Sequence, residues 1–109
     1  MAGKFELFTA KNGKTHFHLK AGNGEVILAS QGYASRSGAR NGIESVRKNA
    51  GDAKRFEKKT AKNGKHYFVL KARNSQVIGN SEMYETERAR DNGIASVSKN
   101  APGAKLADG

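Results

Sequence analysis

The sequence predicts an α+β fold built from two copies of a β-β-β-α-β unit that share one core. Three observations carry this reading. Residues 5–55 slide onto residues 56–106 at a constant offset of 51 without a gap, and 27 of the 51 pairs are identical. Both copies place an Asn-Gly or Asn-Ser turn between short runs of alternating apolar and polar residues. Both then change from a period of two to a helical spacing at the same point. A repeat that keeps its turns and its apolar positions is a repeated structural unit.

Lys4–Lys11 and Thr15–Ala21 flank Asn12-Gly13. Asn-Gly is a strong hairpin signal, because a type I′ turn needs positive φ at both central residues. A second such turn, Asn23-Gly24, leads into Glu25-Val-Ile-Leu-Ala29, so the segment reads as a three-stranded meander. The second copy keeps Asn63-Gly64 and replaces the other turn by Asn74-Ser75. Asn tolerates the left-handed region, so the turn survives. Next, Ala39, Ile43, Val46 and Ala50 fall at i, i+4, i+7 and i+11, the stripe of a helix. Ile94, Val97 and Ala101 repeat it, with Arg90 in the place of Ala39. Ser35 and Thr86 suit the N-caps, while Lys48-Asn49 and Lys99-Asn100 suit the C-terminal ends. A mid-helix glycine costs about 1 kcal/mol relative to Ala. The recurrence of Gly42 as Gly93 therefore predicts close packing of each helix on the sheet. Residues 53–60 run from the first copy into the second without a linker. They close one unit and open the next, with Ala104–Ala107 as their counterpart beyond Pro102.

Composition sets further bounds. At 109 residues the expectation is a single domain, residues 1–109, containing the repeats 5–55 and 56–106. Glycine supplies 13 residues and Trp none, so the core is lean and neither half is expected to fold alone. With no Cys, disulfides and thiolate chemistry are excluded. No secretory leader or membrane span is legible, which predicts a soluble, cytoplasmic protein without membrane association. Twenty Lys and Arg stand against ten Asp and Glu, a net charge of +10 spread over both halves. Such a field favours polyanions, as partners or as non-specific attraction.

The tandem Asn-Gly-Lys hairpins, the Leu-Lys-Ala strands at 19–21 and 70–72, Tyr33 and Tyr84 ahead of the helices, and the Asn-Gly-Ile-x-Ser-Val motifs at 41–46 and 92–97 occur together. In this combination the chain resembles the YegP-like family, small bacterial proteins of unknown function, over essentially its whole length. The resemblance implies one antiparallel β-sheet made from two β3-α-β units that exchange their C-terminal strands about a pseudo-twofold axis, with helices packed against it. It also implies a monomer, since both halves lie in one chain, and it implies no activity.

With the turn at Asn12-Gly13, one face of the first meander gathers Phe8, Phe17, Leu19, Ala21, Val26 and Leu28. Phe68, Leu70, Ala72 and Val77 match in the second, with Lys59 for Phe8 and Gly79 for Leu28. This face is expected to carry the helices. The other face shows His16, His18, Lys20 and Ile27, then Tyr67, Val69, Lys71 and Ile78. Rings mixed with cations on an open sheet are the chemistry of single-strand stacking platforms; the same pattern also describes a solvated sheet face. Lys11, Lys14, Lys62 and Lys65 flank the two main turns. They offer phosphate contacts, or simply keep hairpin tips soluble and unpaired.

Catalytic and metal chemistry find little support. His16 and His18 share a face but do not recur in the second copy, and no third ligand is patterned with them. Ser30 and Ser81 recur without a repeated base, and Glu6 and Glu57 read as partners of nearby cations. The expectation is therefore a non-enzymatic binding module with no metal and no cofactor. It binds single-stranded nucleic acid or other polyanions weakly, or else recruits a protein partner while its charge serves solubility alone.

Overall fold

The computed structural model describes residues 3–108, the last two by their backbone alone. The chain order is β1 (Lys4–Thr9), β2 (Thr15–Lys20), β3 (Val26–Ala29), α1 (Arg36–Asn49), a 3-10 turn (Ala53–Arg55), β4 (Phe56–Thr60), β5 (His66–Lys71), β6 (Val77–Asn80), α2 (Glu87–Asn100) and β7 (Lys105–Asp108). The strands form one seven-stranded sheet in the order β4-β5-β6-β3-β2-β1-β7. The pseudo-twofold axis runs between β3 and β6, which meet antiparallel at Ala29 and Asn80. All pairs are antiparallel except β1–β7, so the sheet is mixed where an antiparallel one was expected, because β7 joins β1 by a crossover from the other unit. The exchange expected of the C-terminal strands is seen in β7, which leaves the second unit and lies beside β1 of the first. After α1, the corresponding segment passes through the 3-10 turn and opens β4.

Ser35 and Thr86 cap the helices through their hydroxyls, which accept from the N–H groups of Gly38 and Ala89. The C-terminal ends differ from expectation. Asn49 and Asn100 are buried helical residues whose Nδ2 groups donate to the carbonyls of Ser45 and Ser96 at 2.8 Å; Ala50 and Ala101 are the caps. Asn recurs there as a buried donor satisfied within its own helix. Gly42 and Gly93 serve close packing as predicted. A Cβ on either would come within 2.4 or 2.5 Å of the Tyr33 or Tyr84 hydroxyl, and within 3.1 Å of Phe17 or Phe68. Each Tyr ring lies near-parallel to the neighbouring Phe and wedges against the glycine, so the ring rather than the sheet backbone fills the space.

One core cluster draws on both repeats: Phe5, Leu7, Phe17, Leu19 and Leu28 from the first, and Phe68, Leu70 and Ile78 from the second, with Ile43, Val46 and Val97 from the helices. α1 packs on β5 and β6 as well as on β1 and β2, and α2 reaches β3.

The first hairpin overturns one expected assignment. Its loop is not a two-residue type I′ turn. Gly13 N–H donates to Ala10 C=O and Ala10 N–H to Lys14 C=O, and of the two turn residues only Gly13 has positive φ, +82°. Asn12 instead accepts from the Lys14 N–H through Oδ1. This is a type I turn followed by a left-handed residue, the other turn that Asn-Gly encodes. It pairs Thr9 with Thr15 and Phe8 with His16. A slip of one residue moves every side chain to the opposite face. Phe5 and Leu7 are therefore in the core, whereas Phe8 and its counterpart Lys59 stand on the helix-free side. Bulges between Leu19 and Lys20, and between Leu70 and Lys71, similarly bring Ile27 and Ile78 into the core that Val26 and Val77 were expected to fill. Val69 lies on the open face as expected, opposite Glu57, but is buried there.

In the second meander turn the left-handed residue is Ser75, φ +70°, where the first has Gly24 at +87°; Asn74 accepts from the Gln76 N–H instead. A non-glycine residue in that region costs about 1–2 kcal/mol, part of which glycine returns as unfolded-chain entropy. Ser75→Gly is thus expected to stabilise the protein by about 0.5–1 kcal/mol, roughly 3–6 °C in Tm. A thermal melt showing no gain would contradict the assignment.

Candidate functional site

The face opposite the helices holds the candidate ligand contacts. Alternation along β1 and β2 brings out Glu6, Phe8, His16, His18 and Lys20 together. Phe8 is the centre of this group. Its ring lies 5.6 Å from that of His16 at an interplanar angle of 14°, and 4.8 Å from that of His18 at 60°. Burial against these neighbours, aided by the nearby Lys20 cation, pushes the His18 imidazole below its usual pKa. The shift favours the neutral imidazole, so His18 contributes ring surface more than charge. It costs stability as pH falls below its ordinary value, because the unfolded chain then takes up the proton first.

Lys20 and Lys71 lie on this face as expected, and both are matched by carboxylates. Lys20 Nζ lies 2.9 Å from Glu6, which also reaches Lys4. Lys71 pairs with Glu57, which is shared with Lys59. The hydrogen bond from Lys20 lowers the Glu6 pKa, and that from Lys71 lowers the Glu57 pKa. Tyr67 stands on β5 opposite Lys59, half-buried. The two ring sites, on β2 and β5, are three strand spacings apart, about 14 Å.

At the hairpin tips, Lys11, Lys14 and Lys62 are exposed and make no ion pair among the described residues, whereas Lys65 is held by Glu85 at 3.1 Å. The structure thus gathers His16, His18 and Lys20 around Phe8, places Tyr67, Lys71 and Lys59 in the equivalent spot of the other unit, and sets the tip lysines at the margins. The ion pairs expected of Glu6 and Glu57 are present, whereas the placement of Phe8 and Lys59 on this face differs from expectation. The substitution of Phe8 by Lys59 between repeats was the available signal, since a position that accepts Lys in one copy faces water.

The remaining candidates have structural duties. Ser30 Oγ accepts from the Phe17 N–H at 2.8 Å and donates to the Gln31 carbonyl; Ser81 does the same for Phe68 and Glu82. These hydroxyls replace a ladder bond where β3 and β6 end, which explains why both repeats keep them. His66 lies 3.4 Å from Thr60 Oγ1 across the second hairpin. Among the described residues no three His, Asp or Glu side chains converge as metal ligands, and no helix is long and apolar enough to cross a membrane.

The family model for a domain of unknown function, DUF1508, matches this chain twice, over residues 10–57 and 61–108. The chain belongs to the DUF1508 family. DUF1508 relatives match it from end to end. It is 52% identical to the UPF0339 protein YegP of Escherichia coli K12, over 99% of this chain and 98% of that protein. It is 50% identical to the UPF0339 protein in the ptx operon 5′ region of Stutzerimonas stutzeri, covering 99% and 97%. Two solution NMR structures share the fold. That of E. coli YegP, itself described as of unknown function, superposes with a TM-score of 0.94 at 52% identity, covering 99% of this chain and 93% of that one. That of a UPF0339 protein from Shewanella oneidensis gives 0.93 at 52% identity, covering 99% and 92%. The YegP-like resemblance and its two-repeat α+β fold are borne out, and these DUF1508 relatives carry no assigned activity.

Proposed function

We propose that this DUF1508 protein is a small non-enzymatic binding module that holds single-stranded nucleic acid, or a similar polyanion, weakly and with little sequence preference on its helix-free sheet face. The observation that supports it most is the Phe8–His16–His18 ring cluster on an open face, with Lys11 and Lys14 at its margin; the second unit places one ring, Tyr67, and the exposed Lys62 at equivalent positions. Rings give every base a stacking partner, and mobile tip lysines follow a phosphate backbone. The pairing of Lys20 and Lys71 with Glu6 and Glu57 leaves about three or four cations for phosphates. The log of affinity should therefore fall with log salt at a slope of about −2 to −3, taking ~0.7 per phosphate for single strands. Nothing in this role calls for a cofactor or a metal, and a monomer in the cytoplasm would suit it.

An NMR titration with a short oligonucleotide at low salt tests this. Shifts should cluster on Phe8, His16, His18, Tyr67 and the 10–14 and 61–65 loops. Phe8→Ala or Tyr67→Ala should cost about 1–3 kcal/mol of binding, whereas Lys11→Ala or Lys62→Ala should chiefly flatten the salt slope. Diffuse shifts over every lysine, reproduced equally by heparin, would reduce the charge to a solubility device and leave protein recruitment as the role.

A further inference from the structure

The pseudo-twofold is broken at the outer edges of the sheet. The edge of β1 is covered by β7, while the equivalent edge of β4 pairs with no strand among the described residues. In the first unit, Leu106 of β7 lies in register with Phe5, Arg47 rests over the Phe5 ring at 5.3 Å and donates to the Ala104 carbonyl at 2.7 Å, and Phe5 and Ile43 are 0% and 1% exposed. In the second unit, Phe56 and Ile94 occupy the same positions but remain partly exposed. Glu44 and Arg47, which wall the first site, become Ala95 and Ser98. A groove of about 380 Å³ is left between β4 and α2, lined by Phe56, Ile94, Ala95 and Ser98 and flanked by the Lys58–Asp91 ion pair at 3.2 Å.

The backbone beside this groove is free to pair. His66 and Phe68 on β5 direct their N–H groups away from β4, to the Tyr84 carbonyl and to Ser81 Oγ. Their partners in register, Thr60 and Lys58, therefore turn their own N–H and C=O outward, by the alternation of an antiparallel pair.

We propose that this edge and groove form a docking site for an extended segment of another protein, added as a parallel strand on β4. Its recognition pattern is an apolar residue followed two positions later by an acidic one. The occupied half of the molecule supplies the geometry. β7 sets Leu106, itself 37% exposed, in register with Phe5 and Asp108 in register with Leu7. The same register on β4 sets a leucine against Phe56 and Ile94, where Ala95 and Ser98 leave the groove open, and an acidic residue in register with Lys58, which it would share with Asp91. Backbone bonds to a strand edge supply affinity, and alternate side chains in pockets supply specificity. A second copy of this chain is disfavoured as occupant, because each carries a net charge of +10 and its β7 is already engaged on β1. The site lies at the edge and on the helix side of the sheet, so it is independent of the nucleic-acid reading.

The test titrates the intact ¹⁵N-labelled protein with an end-capped octapeptide of the sequence of residues 101–108, the strand that fills the equivalent site. A control peptide carries Leu106→Ser. The result expected is saturable shifts at Lys58, Thr60, Ile94 and Ala95. Affinity should fall by about tenfold or more with the control peptide, and likewise in the protein variants Lys58→Pro, which removes an outward N–H, and Ala95→Glu, an exposed helix position that keeps the fold. Three results would overturn the proposal: no saturable shifts at millimolar peptide, shifts at Phe5, Leu7 and Ile43 from displacement of the protein's own β7, or shifts indifferent to Ala95→Glu. Self-association that Ala95→Glu abolishes would also overturn it, by giving the groove to a second copy.

Discussion

Leu28→Ala is expected to destabilise the protein by about 2–5 kcal/mol, and introducing Gly79→Leu into that variant should restore much of the loss. Leu28 and Gly79 hold equivalent positions in the two repeats, on the strands that flank the pseudo-twofold axis. Leu28 is fully buried, and a Cβ added at Gly79 would lie 2.7 Å from its Cγ and 2.8 Å from its Cδ2. One leucine fills the space at the axis. Two would collide, and two glycines would leave a hole. Gly79→Ala alone should therefore cost about 1–3 kcal/mol through overpacking, and Gly79→Leu alone should be harmful as well. In the Leu28→Ala background the same Gly79→Leu change should become stabilising, a reversal of sign that only direct competition for one volume produces. Urea unfolding of the four variants reads the coupling. Additive losses in the double variant would mean that the two side chains do not share that space.

Separated at the repeat boundary, residues 1–55 and 56–109 should each be mostly unfolded as monomers. The first half alone would lose β7, exposing Phe5 and Ile43, and α1 would lose its packing on β5 and β6. The second half would lose the contact of α2 with β3 and the filling of Gly79 by Leu28. Its own terminal strand, β7, would have no β1 to join. A unit of about 50 residues buries too small a share of its surface to absorb such losses, given a net stability of only about 5–15 kcal/mol for whole domains.

Most of the architecture was legible in the sequence because its determinants are local and repeated. Ser35 and Thr86 announce the helix starts, Gly42 and Gly93 announce close packing, and the Asn-Gly pairs announce the hairpins. What was not legible depends on choices that local signals leave open. Asn-Gly encodes both a two-residue turn and a turn with a left-handed third residue, and the difference of one residue sent Phe8 from the core to the open face, making it the centre of the candidate site. The choice of Lys20 and Lys71 as partners of Glu6 and Glu57 depends on the same register, since it decides which cation lies diagonally across the strand pair. The bare edge of β4 had a trace in the chain. Leu7, covered by β7, corresponds to Lys58, which is exposed. Read from the sequence alone, that substitution is one charge among many. Only the topology shows that it distinguishes a covered strand from an uncovered one.

The central claim is that the two repeats are halves of one core, with every surface described above resting on their union. Two-dimensional ¹H–¹⁵N NMR spectra of the isolated halves, recorded separately and then mixed, test it most directly. Each half alone is expected to give the narrow amide dispersion of an unfolded chain, with the dispersed spectrum of the intact protein regained only on mixing, if at all. A well-dispersed spectrum from either half as a monomer would show that a single repeat builds its own core, contrary to the shared-core account.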